Sequence, residues 1–443
     1  MKVIFILPAI GKKSGEKYIG TWKMEPLTIA VLKSLTPDNI ETVLYDDRIE
    51  LIDYNQKADI VFITVETYTA LRSYNIAEKF RQNGSVIIMG GYHTTLIPEE
   101  VSLYADSIIT GNAENVWEQV LKDYAENKLQ KIYEGGIAYT HKLPDKSIFQ
   151  GKKYLPVSLV ETGRGCFNTC NFCAIAGYYK HKYYIRNHDD IIKDIKMNKH
   201  KYFFMVDDNL VADKENALAL FKKIEPLKIK WAGQGTLNMA YDEELLKAMK
   251  KSGCEIILIG FESLNNDNLK QMNKHINILE QERDELVRRI HKAGIGIYAT
   301  FIFGYDNDDE NTVKEALEFA KKHNFYTAAF NHLLPFPGTK LYEQLQKENR
   351  LLYDKWWLDE NYHYGELSFK PKKISPEKLS KACRDARKEF SSFKTVLKRG
   401  WQAMRQTSPA LWMLFWVMNL NIGSEVDKKM NVPIGKNLDE LPK

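Results

Sequence analysis

Residues 166–173 read Cys-Phe-Asn-Thr-Cys-Asn-Phe-Cys. Three thiolates spaced in this way within one loop can converge on a single inorganic centre, and three ligands leave one coordination position open. A structural zinc site normally takes four protein ligands, and the other candidates nearby are His181 and His188. The stretch therefore predicts a metal site with one open position, and a structural zinc site fits it less well.

The cysteine stretch directly follows the first of six apolar runs in the second part of the chain. Most of these runs are separated from the next by a segment with apolar residues at helical spacing. The runs are Val157–Thr162, Tyr202–Val206, Lys230–Gln234, Glu255–Gly260, Gly296–Phe303 and Ala328–Leu334. Six β/α units in ~180 residues favour a partial TIM-type barrel over a second open sheet, although alternation alone does not separate the two.

The first part of the chain alternates in the same way and predicts a parallel sheet wrapped by helices. Its apolar runs are Val3–Leu7, Thr42–Tyr45, Ile60–Thr64, Ser85–Met89 and Ser107–Thr110. This pattern predicts a Rossmann-like or flavodoxin-like domain of about five strands, with a ligand crevice at their carboxyl ends.

The resulting prediction is an α/β protein with two domains and a helical C-terminal region. The first domain covers residues 1–135, a linker 136–155, the barrel 156–343 and the helical region 344–443. The helical region is rich in tryptophan, which favours helices that pack on the barrel and close its open side. Contact with a membrane surface or a lipid substrate is the alternative.

Composition limits the class of protein. The net charge of +5 comes from 63 basic and 58 acidic residues without a basic stripe, so no nucleic-acid partner is expected. The most apolar late segment, residues 410–418, is shorter than the ~20 residues that span a bilayer. The N-terminal apolar run lacks a signal cleavage site. Five cysteines, three of them clustered, indicate metal ligands in a reducing compartment, so a cytoplasmic location is expected.

The spacing Cys-x3-Cys-x2-Cys, with an aromatic residue before the last cysteine, resembles that of the radical S-adenosylmethionine (SAM) superfamily. In that family the cluster is [4Fe–4S], its open iron binds SAM, and reductive cleavage gives a 5′-deoxyadenosyl radical. The resemblance implies that Cys166, Cys170 and Cys173 hold the cluster and that Phe172 borders the adenine. A flavodoxin or ferredoxin is the electron donor that it implies.

Three later motifs extend the resemblance. Residues 259–263, Ile-Gly-Phe-Glu-Ser, are similar to the family's fourth-strand motif, which implies that Glu262 and Ser263 contact the ribose or methionine part of SAM. Residues 301–304, Phe-Ile-Phe-Gly, are similar to the fifth-strand motif, which implies that Gly304 lies near the adenine. Residues 202–209, which include Asp207, are similar to the second-strand end of a subgroup, and the resemblance implies contact with SAM or substrate. For the next two residues, Asp208 and Asn209, capping of the following helix is the alternative.

The first domain resembles the cobalamin-binding domain of one branch of radical SAM enzymes. The resemblance rests on residues 24–27, 64–67 and 89–95, and it implies cobalamin contacts at Thr64, Gly90 and Gly91. Two adjacent glycines after a strand let a ligand lie against the backbone. The domain order is also that of this branch.

The sequence departs from the best-known cobalamin domains in one loop. Those domains carry Asp-x-His-x-x-Gly, whereas residues 45–50 read Tyr-Asp-Asp-Arg-Ile-Glu and contain no histidine. Three outcomes stay open: cobalamin without a protein nitrogen on cobalt, cobalamin with Arg48 or another side chain near its lower face, or a domain without cofactor. His93 follows the glycine pair, and local hydrogen bonding is expected of it rather than cobalt ligation.

These inferences predict a cobalamin-dependent radical SAM enzyme that acts on a small metabolite. Methyl transfer to an unactivated carbon and cyclisation or rearrangement both fit the sequence. The alternative from another class is a non-catalytic iron–sulfur or zinc protein that senses redox state or docks a partner.

Overall fold

The structure is a computed structural model that describes residues 1–16, 18, 23–138, 142–278 and 282–440. Two parallel sheets organise these residues, followed by a helical region, and the α/β class predicted from the sequence is confirmed. The strands are β1 Lys2–Leu7, β2 Glu41–Asp46, β3 Ile60–Thr64, β4 Val86–Gly90, β5 Ser107–Thr110, β6 Ile132–Glu134, β7 Ser158–Val160, β8 Gly163–Gly165, β9 Tyr183–Ile185, β10 Tyr202–Met205, β11 Lys230–Gly235, β12 Cys254–Glu262, β13 Gly296–Phe303, β14 Thr327–His332, β15 His363–Tyr364 and β16 Val432–Pro433.

Helices cover both sheets and build the C-terminal region. They are α1 Leu27–Ser34, α2 Ala70–Gln82, α3 Tyr92–Leu96, α4 Pro98–Val101, α5 Trp117–Ala125, α6 Ala174–Tyr179, α7 His188–Met197, α8 Lys214–Ile224, α9 Glu243–Lys251, α10 Asn266–Gln271, α11 Arg283–Lys292, α12 Glu310–Lys322, α13 Lys340–Lys347, α14 Pro376–Phe390, α15 Phe393–Gln406 and α16 Pro409–Lys429. The predicted boundary at residue 343 falls inside α13, and the domain boundaries stay a prediction.

The first sheet has the order β2-β1-β3-β4-β5-β6, with all neighbours parallel. Its first five strands follow the flavodoxin-like order, in which the chain reverses direction across the sheet between β1 and β3. Residues of both faces are buried along β1 and β3, which is why these strands read as continuous apolar runs.

The second sheet has the order β14-β13-β12-β11-β10-β7, also parallel throughout. On β13, Ile297, Ala299 and Phe301 are fully buried in the core under the helices, while the intervening residues are only half-buried. The half-buried set therefore faces the interior of the curved sheet. Within the described residues β7 and β14 are not paired with each other, so the barrel is partial and open on one side.

The C-terminal helices close this open side, as the sequence predicted. α16 lies beside β14 and residues 155–157 at the start of β7, where the three segments enclose a cavity of about 550 Å³. Arg399 of α15 is buried, and its guanidinium donates to the carbonyl oxygens of Phe325, Tyr326 and Phe390. The two helices are thus fixed to the base of the barrel.

The tryptophans of this region divide into three groups. Trp356 and Trp357 are buried in the core of the first domain rather than against the barrel, which corrects the expectation for this pair. Trp412 and Trp416 pack between α15 and α16. Trp401 is 61% exposed.

Residues 432–440 return to the first domain. β16 pairs with β15, and the backbone of Gly435 donates to Ile10. Asp439 accepts from Arg72 at 2.7 Å and from Lys79 at 2.5 Å. The first domain is therefore bound by the far end of the helical region.

Candidate active site

The three clustered cysteines lie in the loop between β8 and α6, close to the carboxyl end of β7. Cys170 is buried, and Cys166 and Cys173 are half-buried. Burial raises the pKa of the Cys170 thiol to about 12, and it also raises the pKa of Cys173. Thiols in this state bind protons rather than ionise alone, so a metal charge is what would hold them as thiolates.

In the described ranges, no three side chains of His, Cys, Asp or Glu come close enough to share one metal ion. A cluster takes each thiolate on a separate iron, so its ligands need not share an ion. His181, the nearest alternative ligand in sequence, hydrogen-bonds the Asn168 carbonyl oxygen through Nδ1 at 3.2 Å.

The cysteine loop is held by the end of α10 and by the loop after β13. Asn171 donates from its backbone to Met272 and from Nδ2 to Gln271, and it accepts from the Tyr305 hydroxyl at 2.7 Å. Asn273 donates through Nδ2 to the Thr169 carbonyl oxygen at 3.0 Å. These contacts fix the loop while its cysteines remain free of one another.

A buried ion pair lies beside the loop. Lys274 Nζ donates to Glu262 Oε1 at 2.7 Å, and both residues are below 10% exposed. Glu262 has φ +61°, a left-handed conformation that is costly for a residue with a side chain, and the register of β12 and β13 shifts at this point. Strain and irregular pairing of this kind are concentrated at functional sites. The fourth-strand motif identified Glu262 from the sequence, but no sequence motif pointed to Lys274.

The segment after β10 positions the start of the cysteine loop. Asp207 is buried and accepts from the backbone and hydroxyl of Thr162, at 3.1 and 2.7 Å. Asp208 accepts from the backbone of Gly165 at 2.8 Å, and Asn209 Nδ2 lies 4.0 Å from Cys166 Sγ. Burial raises the pKa of Asp207 to about 7.

The alternative that Asp208 and Asn209 cap the following helix is wrong. The cap of α8 is Asp213, whose side chain accepts from the backbone of Asn216. Asp208 and Asn209 instead contact the start of the cysteine loop, at Gly165 and Cys166.

A second carboxylate organises the end of β13. Asp308 Oδ2 accepts from the backbones of Gly304 and Tyr305 at 2.8 and 2.9 Å, and Oδ1 accepts from Asn268. Gly304 has φ +131°, and a Cβ there would lie 2.8 Å from the Phe369 ring. Ser263 is buried, and its hydroxyl accepts from the backbone of Asn265. The sequence reasoning missed Asp308.

The carboxyl edge of the first sheet faces the cysteine loop. Arg164 forms an ion pair with Glu114, which follows β5, and the Tyr178 hydroxyl donates to Asn112 in the same loop. The rings of Tyr92 and Tyr178 lie 4.8 Å apart. The carboxyl ends of both parallel sheets therefore meet around α6.

Of the residues assigned to cobalamin, Gly90 ends β4 at this edge and Gly91 follows it. A Cβ on Gly91 would lie 2.7 Å from the Val65 carbonyl oxygen, and one on Gly90 would lie 3.1 Å from the Phe62 ring. Close backbone packing therefore requires glycine at position 91, whereas a Cβ at position 90 would press on the Phe62 ring. Thr64, at the end of β3, is buried and donates to the carbonyl oxygen of Ile6.

Arg48, the residue considered for the lower face of cobalamin, donates to both carboxylate oxygens of Asp46 and to the Met24 carbonyl oxygen. His93 is fully buried and hydrogen-bonds Thr67 and Glu100, which is the local bonding that the sequence favoured.

Glu66 was not singled out from the sequence. Its side chain is accessible, yet the surrounding crevice desolvates it enough to raise its pKa to about 7.

A cavity of about 320 Å³ joins the two domains to the helical region. Phe172 of the cysteine loop, Ile302 of β13 and Tyr68 of the first domain contribute to its wall. Its cationic side consists of Arg384, Arg387 and Lys429. Asn331, Arg387, Val426 and Lys429 also line the 550 Å³ cavity under α16, so the two cavities are adjacent.

Comparison with known proteins places these features in a family. Residues 160–320 match the model of the radical SAM superfamily. The chain is 29% identical over 405 residues to bacteriochlorophyllide d C-12(1)-methyltransferase of Chlorobaculum tepidum, covering 88% of this chain and 86% of that one. It is 27% identical over 376 residues to the C-8(2)-methyltransferase of the same organism, covering 79% and 82%. A solved structure of TsrM, a radical S-adenosylmethionine methyltransferase from Kitasatospora setae with cobalamin and a [4Fe–4S] cluster bound, superposes with a TM-score of 0.65 at 13% identity, covering 92% of this chain and 89% of that one.

Proposed function

We propose that this chain, which matches the radical SAM model over residues 160–320, is a cobalamin-dependent radical SAM enzyme that transfers a methyl group to an unactivated carbon of an anionic small molecule. The proposal rests mainly on one observation: the carboxyl ends of the strands of the two parallel sheets meet around the cysteine loop. The loop with Cys166, Cys170 and Cys173 lies where the barrel's strand ends face the edge of a flavodoxin-like domain. Ligands of both fold types bind at these edges.

The residues present fit a [4Fe–4S] cluster. Three cysteines without disulfide partners lie in one loop, and the other two cysteines of the chain, Cys254 and Cys383, are buried elsewhere. A bound cluster supplies the low-potential electron that cleaves SAM, and a reduced flavodoxin or ferredoxin would deliver it.

Side chains around the loop fit the ammonium and carboxylate of SAM. Glu262 and Lys274 present opposite charges beside Cys170, in a buried environment where such charges act strongly. Phe172, Ser263 and Gly304 stay assigned to SAM on the strength of their motifs. Asp207 holds Thr162 at the end of β7, so its part is to position the loop rather than to contact SAM.

The first domain fits a cobalamin bound without a histidine on cobalt. His93 is committed to Thr67 and Glu100, and Arg48 is committed to Asp46. Glu66 remains accessible at the edge that faces the barrel. Cobalamin supplies a carrier for the methyl group, which favours methyl transfer over cyclisation, as in the two methyltransferases to which the chain is similar.

The substrate is anionic because the cavity next to Phe172 presents Arg384, Arg387 and Lys429. Among the described residues, Lys429 has no carboxylate within ion-pair distance, and burial lowers its pKa. A carboxylate or phosphate on the substrate would pair with this charge.

Two assays test the chemistry. The protein reconstituted anaerobically with iron and sulfide is given reductant and SAM, and 5′-deoxyadenosine is measured. We expect product from the wild type and from Cys254→Ala, and none from Cys170→Ala; undiminished product in Cys170→Ala would overturn the proposal. Hydroxocobalamin retained after desalting, seen in the absorption spectrum, tests the first domain.

The substrate class is tested with methyl-labelled SAM and a metabolite extract. Labelled products are separated by anion exchange, and retention on the column is expected. Label that passes through unretained would contradict an anionic substrate while leaving the radical chemistry intact.

A further inference from the structure

Two neighbouring helices expose a row of large apolar side chains. They form the α15–α16 apolar face, which consists of Phe393, Leu397, Trp401, Met404, Met413, Leu414, Val417 and Leu420. Five of these eight side chains are more than 55% exposed, for example Phe393 at 67% and Met413 at 64%. Contiguous exposed apolar surface of this kind marks an interaction site rather than ordinary surface.

The spacing shows that the face is built into the helices. The α15 members follow one another at four, four and three residues, which places them on a single side of the helix. The opposite side of α15 is buried, with Val396, Arg399 and Ala403 against the protein. α15 therefore packs one side against the protein and exposes a stripe of apolar side chains on the other side.

Other residues of α15 and α16 hold the two helices together and against the barrel, so the exposed side chains of the face are not core residues that have moved to the surface. Gly400 permits close approach of the Trp416 ring, and Trp412 Nε1 donates to the Gly400 carbonyl oxygen at 3.0 Å. Asn419 donates to Tyr326 and accepts from Arg399. The helix pair is anchored by these buried contacts without help from its outer residues.

The charges next to the face are all of one sign. α15 carries Lys394, Lys398, Arg399 and Arg405 and has no acidic residue, and Arg399 alone of these four is buried. Within the described chain, Lys394 and Lys398 make no ion pair, and the Arg405 guanidinium lies 5.2 Å from the Trp401 ring. The first sixteen residues of α16 contain no charged residue. This charge pattern is complementary to an anionic surface.

Two residues of the face also line a cavity. Leu414 and Val417 belong to the face and line the 550 Å³ cavity between α16 and the barrel. That cavity shares Arg387 and Lys429 with the one that reaches Phe172. A molecule that enters at the face can therefore approach the site through adjacent apolar and then cationic surroundings.

We propose that the α15–α16 apolar face binds the surface of a bilayer that contains anionic phospholipids. The apolar side chains enter the interfacial layer, and Lys394, Lys398 and Arg405 contact the headgroups. No helix in the described ranges combines the length and apolarity needed to cross a membrane. Docking in this orientation places the part of the cavity wall at Leu414 and Val417 next to the lipid.

Sedimentation of the full chain with vesicles tests this proposal. The vesicles are phosphatidylcholine alone or an equal mixture with phosphatidylglycerol. We expect binding to the mixed vesicles and little to the neutral ones. Trp401→Glu and Leu397→Glu should each weaken binding by roughly tenfold or more. Lys394→Gln and Lys398→Gln should each weaken it by roughly fivefold, since one cation near an anionic leaflet contributes about that factor.

Met197→Glu is the matched control, because Met197 is 65% exposed on α7, outside the face, and the substitution adds the same charge. Its vesicle binding should be that of the wild type, and circular dichroism should show that all variants are folded. Absence of binding to mixed vesicles, or equal weakening by Met197→Glu, would overturn the proposal. A wild-type dimer that Trp401→Glu converts to a monomer, without vesicle binding, would assign the face to a second copy instead. Production of 5′-deoxyadenosine without vesicles is measured separately, so failure here does not touch the proposed chemistry.

Discussion

Lys274 and Glu262 form a buried ion pair, with Nζ and Oε1 2.7 Å apart, beside the loop that carries the cysteines. Glu262 closes β12 in a left-handed conformation, and Lys274 lies twelve residues later, after α10. The pair therefore joins a strained strand end to the helix that holds the cysteine loop. The contribution of this pair to the free energy of unfolding can be measured by substitution.

Removal of Lys274 should destabilise the protein strongly. Lys274→Met leaves the Glu262 carboxylate buried and unpaired, which costs on the order of 3–5 kcal/mol. The urea midpoint of unfolding measures the loss, and Glu262→Gln combined with Lys274→Met should recover part of it. Lys270→Met is the control, because the Lys270–Asp267 pair is exposed and should contribute less than ~1 kcal/mol. An equal loss in both lysine variants would contradict the expected role of burial.

Asn209→Leu should make a reconstituted cluster harder to reduce. The Asn209 amide nitrogen lies 4.0 Å from Cys166 Sγ, and hydrogen bonds to ligand sulfur favour the reduced state. We expect full iron and sulfide content but a smaller fraction reduced by dithionite, measured by electron paramagnetic resonance. Asn216→Leu, which alters an amide on α8, should reduce as the wild type does. A cluster lost altogether in Asn209→Leu would instead show that the residue is needed for assembly.

Glu100 should make stability depend on acidity. Burial alone would raise its pKa, but hydrogen bonds from His93, Lys355, Trp357 and Tyr74 lower it from 4.5 to about 2. A carboxyl with a depressed pKa stabilises the fold above its unfolded pKa and loses that contribution as pH falls from about 4.5 towards 2.

Glu100→Gln should therefore cost about 3 kcal/mol near pH 6 and progressively less below pH 4.5. Urea unfolding of both proteins between pH 6 and pH 3 gives the difference. Glu99→Gln, at the exposed neighbouring position, should show no such trend. A constant difference between wild type and Glu100→Gln across this range would disprove the linkage.

Gly91→Ala should destabilise the first domain much more than Gly84→Ala. Both glycines have positive φ, which alone costs an alanine roughly 1–2 kcal/mol. A Cβ on Gly91 would lie 2.7 Å from a backbone oxygen of Val65, whereas one on Gly84 would have no atom within 4 Å. Thermal unfolding followed by circular dichroism separates the effect of close approach from that of the dihedral. Equal losses of stability in the two variants would show that the loop after β4 shifts to accommodate the added Cβ without a cost in free energy.

Two strands could be predicted with their exact bounds because each is a run of mostly apolar residues. Ile60–Thr64 is buried on both faces, whereas the residues of Gly296–Phe303 are alternately buried and half-buried. β6, at the sheet edge, was missed because it has three residues, of which two are exposed. β8 and β9 were missed as well, because each has only three residues.

The candidate site was predictable where its ligands are close in sequence. The cysteines lie in one loop, so their spacing alone carries the signal. Lys274 and Asp308 act through contacts formed after folding, with Glu262 and with the backbone of Gly304. Asp213 rather than Asp208 caps α8, since the chain makes an additional turn before the helix begins. Tertiary placement, not residue type, decides these roles.

Asp439 and Arg72, which bind each other, are 367 residues apart in the chain. At a synthesis rate of about 5–20 residues per second, roughly 20–70 s separate the appearance of the two partners on the ribosome. During that interval the nascent first domain has an arginine that still lacks one carboxylate, and its edge near Ile10 lacks the backbone of Gly435. Release of a fully assembled first domain thus waits for a segment made much later, and products of premature termination would leave this domain exposed to proteases.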